Sequence, residues 1–215
     1  MNNRTATIIG STGMIGSYLQ AQLLLDNDYD YVRILVRRPM PVTMDKLEVK
    51  LVNFSEPESV MLAIDGSDVV FSCIGTTTKN VNGNKSLYWK IDHDIPVNAC
   101  KYALETGCKK FIIVSSAGAN EHSHNFYLKM KGQTEKDLIA TGIPELHIMR
   151  PGLLLGNRKE KRPMEKFMQG LMKYTSGLML GGARKYRAVK GGDLAKAMIA
   201  ASKVNQPGVH IYHYN

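Results

Sequence analysis

Two rhythms of apolar positions alternate along the chain. Short runs rich in β-branched residues read as strands: Thr5 to Ile9, Tyr31 to Val36, Leu47 to Val52, Asp68 to Cys73, Lys109 to Ser115 and Glu145 to Met149. Phe111 to Val114 is apolar throughout, as a central parallel strand is. Elsewhere apolar residues recur at helical spacing. Ile15, Leu19 and Leu23 predict a helix over Met14 to Leu25. Further helices are predicted over Glu56 to Ile64, with Pro57 in the first turn, and over Ser86 to Thr106, closed by Gly107. Others follow from about Asn125, over Arg158 to Tyr174 and over Gly191 to Val204, before a last short strand at Val209 to His213. Such alternation predicts an α/β protein with a mostly parallel sheet and helices on both faces.

The first strand runs into Gly10-Ser11-Thr12-Gly13-Met14-Ile15-Gly16, and a helix follows directly. Glycine permits the tight turn and a close approach of backbone to a pyrophosphate, while the helix N-terminus presents unpaired N–H groups to the anion. The spacing, glycine every third residue, has one residue more than G-x-G-x-x-G between the first two glycines. A strand, this turn and a helix predict a three-layer, Rossmann-like, doubly wound sheet of order 3-2-1-4-5-6, with a seventh strand at its edge. The second strand ends in Arg37-Arg38-Pro39, with no carboxylate where the adenosine ribose would lie. Arginine there suits the 2′-phosphate of NADP(H) and makes NAD(H) the second choice. Asn53 and Phe54, after the third strand, would border the adenine. Ile74-Gly75-Thr76, after the fourth, would let the cofactor pass close to the backbone.

Composition narrows the class. The chain has 215 residues, enough for one domain with a sizeable core, and its 44% hydrophobic and 22% charged content is ordinary for a globular protein. No apolar run approaches membrane-span length. Met1 to Thr5 lead at once into a strand, and Cys73, Cys100 and Cys108 are scattered, so the expectation is a cytoplasmic protein with reduced thiols and no secretory signal. The net charge of +9 gathers at Arg158 to Arg162 and Arg184 to Arg187 without interleaved stacking aromatics, which favours an anionic cofactor over nucleic acid.

Candidate chemistry follows the fifth strand. Ser115-Ser116 close it, and Tyr127 and Lys131 stand four residues apart on the next helix, on one face. A free phenol is a poor acid near neutral pH, and a neighbouring ammonium favours the phenolate. A serine hydroxyl can hold a carbonyl oxygen beside that phenol, which supplies the proton as hydride reaches the carbonyl carbon. His122 and His124 have no companion carboxylates or thiols at metal-binding spacing, so no metal is expected. Asp92, His93 and Asp94 sit mid-helix near Pro96, where a break and a solvated polar turn are expected.

Together with Val36-Arg37-Arg38, Ser115 to Ala119, Tyr127 to Gly132 and Arg150-Pro151-Gly152-Leu153-Leu154, these motifs resemble the atypical, extended-type short-chain dehydrogenase/reductases, above all the small TIP30-like oxidoreductases. The resemblance covers Thr5 to about Ser202. It implies NADP(H) held by Gly10, Gly13, Gly16 and Arg37, a catalytic set of Ser116, Tyr127 and Lys131 with Ser115 in reserve, Lys131 on the nicotinamide ribose, and Pro151, Gly152 and Leu153 at the nicotinamide end. Sugar-nucleotide epimerases of that superfamily carry a long C-terminal substrate region, whereas little follows Gly152 here. A single domain, residues 1–215, is therefore expected, with residues 152–208 as a small substrate-side cap whose Met164, Met168, Met172 and Met179 pack or line an apolar pocket. The expected activity is hydride transfer to or from a small apolar carbonyl or alcohol. Its rival is an NADPH-binding redox sensor without turnover. A second copy of the chain is the expected macromolecular partner.

Overall fold

The computed structural model describes residues 4–42, 44–155 and 187–213. Strands β1 (Thr5–Ile9), β2 (Tyr31–Val36), β3 (Leu47–Leu51), β4 (Val69–Ser72), β5 (Lys110–Val114), β6 (Glu145–Arg150) and β9 (Gly208–His213) form one sheet of order β3-β2-β1-β4-β5-β6-β9. Every pairing in it is parallel. The short strands β7 (Leu154–Leu155) and β8 (Val189–Lys190) pair apart from it.

Strand alternation divides the core in two. Ile8, Ile34, Phe71, Ile112 and Met149 face helices α1 (Met14–Leu24) and α6 (Gly191–Lys203). Their neighbours Ile9, Leu35, Val70, Ile113 and Ile148 face α2 (Pro57–Ile64), α4 (Ile95–Glu105) and α5 (Phe126–Ala140). Both faces of the central strands are thus covered, which explains runs with no polar position. The architecture is the three-layer Rossmann-like fold that the element pattern predicts, with a seventh strand at its edge.

Of residues 152–208, those of α6 pack with α1 against the sheet: Gly191 lies so close to Tyr18 that a Cβ there would meet its ring at 3.0 Å. The Met-rich basic helix expected over Arg158 to Tyr174, and Met179, lie outside the described residues.

The long helix before β5 forms with a modification. It runs as α3 (Lys85–Trp89), a π-helical turn over Lys90–Asp94, and α4. Pro96 has no N–H, and its ring would press on the carbonyl four residues earlier, at Asp92. The π turn relieves this by inserting a residue, and the Ile95 N–H bonds Lys90 O five residues back. The helix therefore continues where a break was expected, and the solvated turn is corrected: Asp92 is buried, and the His93 imidazole is held at 2.8 Å from both Asp94 and Asp137.

Candidate active site

The glycine turn lies at the carboxyl end of β1. Gly10 adopts φ +87°, and a Cβ there would lie 2.7 Å from Ile74 N, so the β1 and β4 turns touch backbone to backbone. At Gly16 a Cβ would fall 2.2 Å from Gly10 O, so only glycine lets α1 start this close to the strand. No side chain caps the N-terminus of α1 and no acidic residue stands in its first turn, leaving its positive end for an anion. Ser11 Oγ is buried at this turn without a hydrogen-bond partner among the described residues. An uncapped helix end, a cradle that a Cβ would fill and an unmatched buried hydroxyl fit a dinucleotide pyrophosphate. Thr12, Met14 and Ile15 complete the turn, with Ile15 buried against the core.

Arg37 and Arg38 follow β2, are exposed, and form no ion pair among the described residues. Asn53 is exposed and donates from its amide to Glu56 at 2.7 Å, while Phe54 packs against the core on the α2 and α4 side. Ile74, Gly75 and Thr76 continue from β4. Pro151, Gly152 and Leu153 follow β6, where Pro151 O accepts from Ala117 N at 2.8 Å. The predicted cofactor residues thus gather along the carboxyl edge of the sheet.

The two serines are told apart by their surroundings. Ser115 is buried, and its hydroxyl donates to Glu135 Oε1, a carboxylate also gripped by Arg150 Nε at 3.0 Å. That contact holds the Arg150 guanidinium above its usual pKa. Ser116 is partly exposed, and among the described residues its hydroxyl makes one long bond, 3.3 Å, to the neighbouring Ala117 O.

Helix α5 starts at Asn125, whose side chain accepts from the N–H groups of Tyr127 and Leu128 at 3.0 and 3.2 Å. Lys131 Nζ lies 5.9 Å from the Tyr127 ring centroid. The loop after Ser116 is locked along this turn: Asn120 N donates to Leu128 O at 3.1 Å, and Gly132 admits the Asn120–Glu121 backbone where a Cβ would not fit. Lys131 is only 4% exposed, and its ammonium meets Asp92 Oδ1 at 3.3 Å. Reading the sequence placed Asp92 in a solvated turn and not beside Lys131. Its signal was present: an acidic residue four before a proline inside a helix, where the register has to shift.

Burial pushes the Cys73 and Cys100 thiols up to about 12 and the Cys108 thiol up to about 11, which disfavours their thiolates near neutral pH. A groove of about 470 Å³ lies between α4 and α5 around His93, Asn98, Lys101 and Asp137, away from the glycine turn.

Fold and site define a dinucleotide-binding protein of the Rossmann type. The chain belongs to the NAD(P)H-binding family, whose model matches residues 10–173. Among relatives, the Debaryomyces hansenii protein FMP52, mitochondrial, is 39% identical over 160 residues, 74% of this chain and 70% of its own. HTATIP2 of Rattus norvegicus is 30% identical over 168 residues, 77% of this chain and 69% of its own. Among solved structures, the UDP-Glc/GlcNAc 4-epimerase of Campylobacter jejuni superposes with a TM-score of 0.74 over 99% of this chain and 79% of its own, at 16% identity, a likeness of fold alone. The cytoplasmic location inferred from the scattered thiols and the N-terminus is corrected by these findings, because the fungal relatives are named as mitochondrial proteins.

Proposed function

We propose that the protein is an NADP(H)-dependent oxidoreductase that interconverts a small carbonyl compound and its alcohol. One observation carries this reading. Tyr127 and Lys131 share a face of α5, and the loop that follows Ser116 is bonded to the same helical turn through Asn120 and Leu128.

A dinucleotide held at the glycine turn would supply a hydride to the carbonyl carbon or, in the reverse direction, take one from the alcohol carbon. In the reducing direction Ser116 donates a hydrogen bond to the carbonyl oxygen and holds it beside the Tyr127 phenol. Tyr127 gives that oxygen its proton as it gains charge, and an alcohol results. Lys131, one turn further on, places its ammonium 5.9 Å from the centre of the Tyr127 ring. Ser115, committed to Glu135, supports the strand end instead. Gly10, Gly13 and Gly16 admit the pyrophosphate, and Arg37 with Arg38 meets the 2′-phosphate, which favours NADP(H) over NAD(H). Pro151, Gly152 and Leu153 border the nicotinamide end. The reading includes a homodimer, checked by sedimentation.

The test is NADPH oxidation, followed by absorbance, against aldehydes, ketones and quinones, with wild type and Tyr127→Phe side by side. Turnover that disappears in the variant supports the assignment. NADPH binding with no turnover, or with turnover indifferent to Tyr127, overturns it and leaves a cofactor-binding sensor.

A further inference from the structure

We propose that the carbonyl substrate carries an aromatic ring, which Phe126 and Trp89, backed by Tyr88, receive beside Tyr127. The proposal rests on the oxidoreductase reading above for the role of Tyr127, and adds the substrate class which that reading leaves open.

Besides the two faces of the sheet, the molecule has a third apolar cluster. Val81, Tyr88 and Met130 are its buried members, and Trp89, Phe126 and Tyr127 pack against them while partly exposed. Local structure brings these residues together. Val81 N bonds Thr77 O at 3.3 Å, and Gly83, at φ +76°, turns the loop after β4 back on itself. Asn84 then caps α3, accepting from Leu87 N at 3.0 Å. The Asn125 cap starts α5 with Phe126 as its first residue and Tyr127 as its second. Two capped helix starts thus set their aromatic residues side by side.

The rings are arranged as aromatic pairs. Tyr88 meets Phe126 edge-on, with centroids 5.8 Å apart and planes at 64°. Trp89 stands 6.5 Å from Phe126 at 52°. The Lys85 ammonium lies 5.6 Å from the Phe126 ring centre. Such pairs attract beyond the burial of their surface, because the negative ring face meets a positive edge or cation. The cluster opens to solvent where its rings adjoin the proposed acid, so a carbonyl held at the Tyr127 hydroxyl lies at the edge of this surface. A saturated group gains only burial there, whereas a planar ring also gains ring-to-ring contacts. A carbonyl withdraws electrons from a ring attached to it, which suits that ring to the electron-rich faces of Trp89 and Phe126. The carbonyl carbon would take the hydride of NADPH, leaving NADP+, and its oxygen the proton of Tyr127, leaving a benzylic alcohol.

Trp89 is the chain's one tryptophan, so the intrinsic fluorescence of the protein reports on this cluster directly. Benzamide and cyclohexanecarboxamide are carbonyl compounds of similar size that resist hydride reduction, and they differ in whether the ring is aromatic. Each is titrated against the full chain in the presence of NADP+, following Trp89 emission. Wild type should bind benzamide about fivefold more tightly than cyclohexanecarboxamide, and Phe126→Leu should bring the two within about twofold. The ratio of KM values for cyclohexanecarbaldehyde and benzaldehyde should shrink in the same variant. A residue that merely holds α3 against α5 would alter both ligands alike and leave these ratios unmoved. Equal affinities in wild type, no response to either amide, or a ratio unchanged in Phe126→Leu overturns the proposal. Should leucine prevent folding, Phe126→Met takes its place with the same expected loss of preference. If wild type reduces no carbonyl, the oxidoreductase reading fails by itself, and the two amide affinities still decide whether this surface takes an aromatic ring.

Discussion

Gly132 and Glu121 touch through their backbones: a methyl group at Gly132 would lie 2.2 Å from Glu121 N. This contact sets the loop that follows Ser116 against the helix that carries Tyr127 and Lys131. Gly132→Ala should therefore push loop and helix apart. Overpacking of this kind costs about 1–3 kcal/mol. A lowered melting temperature together with lost NADPH oxidation is the expected result. An unchanged melt and unchanged turnover would show that the contact does not hold the site together.

Gly16→Ala addresses the cradle. The added Cβ would lie 2.2 Å from Gly10 O, so the start of α1 has to withdraw from β1. NADPH affinity should fall by about tenfold or more, since the helix end and the turn act on the pyrophosphate together. Fluorescence titration checks this.

The serines should respond in opposite ways. Ser115→Ala removes a buried bond to a carboxylate that Arg150 also holds, and should cost about 1.5–3 kcal/mol of stability. Ser116→Ala should leave the melting temperature near that of wild type and lower kcat. Chemical denaturation and steady-state kinetics on the pair decide it; reversed effects would move the catalytic role to Ser115.

Arg37→Ala and Arg38→Ala test cofactor choice. Both side chains are exposed, so the expected change is modest, about tenfold in NADPH affinity with NADH affinity nearly unchanged. Equal losses for both dinucleotides would remove the 2′-phosphate from the account.

Acid should loosen the sheet edge. His147 is buried, with Tyr212 OH 2.9 Å from Nδ1 and Glu145 2.8 Å from Nε2. Burial outweighs the pull of Glu145 and lowers its pKa below the usual value, with His210 and Lys110 adding to the lowering. The neutral ring is the form the fold prefers. Its contribution is complete above the unfolded value of about 6.5 and is lost as pH falls below it towards the lowered folded value. Glu145, itself lowered by His147 and Lys110, adds a further loss only in the carboxylate range. Melting temperatures between pH 7.5 and 5 should fall for wild type and fall less for His147→Gln.

Much of this was legible in the chain itself. Among the described residues, most predicted strands and helices appear within a few residues of their expected bounds, because most bury one face or both and their apolar period records that burial. The glycine turn was legible for the same local reason: strand, tight turn and helix are consecutive. What the tertiary structure decided are pairings between residues far apart. Thr76, Asp92 and Lys131 come from a loop, a π turn and another helix, and no periodicity links them. Ser115 and Ser116 look alike in sequence, and only the fold tells them apart, burying the first hydroxyl against Glu135 and leaving the second partly exposed. The chain by itself determined its elements and its nucleotide turn, since these rest on neighbours along the backbone. Which buried charges meet was decided by packing, since a carboxylate and an ammonium withdrawn from water have to find each other across the fold.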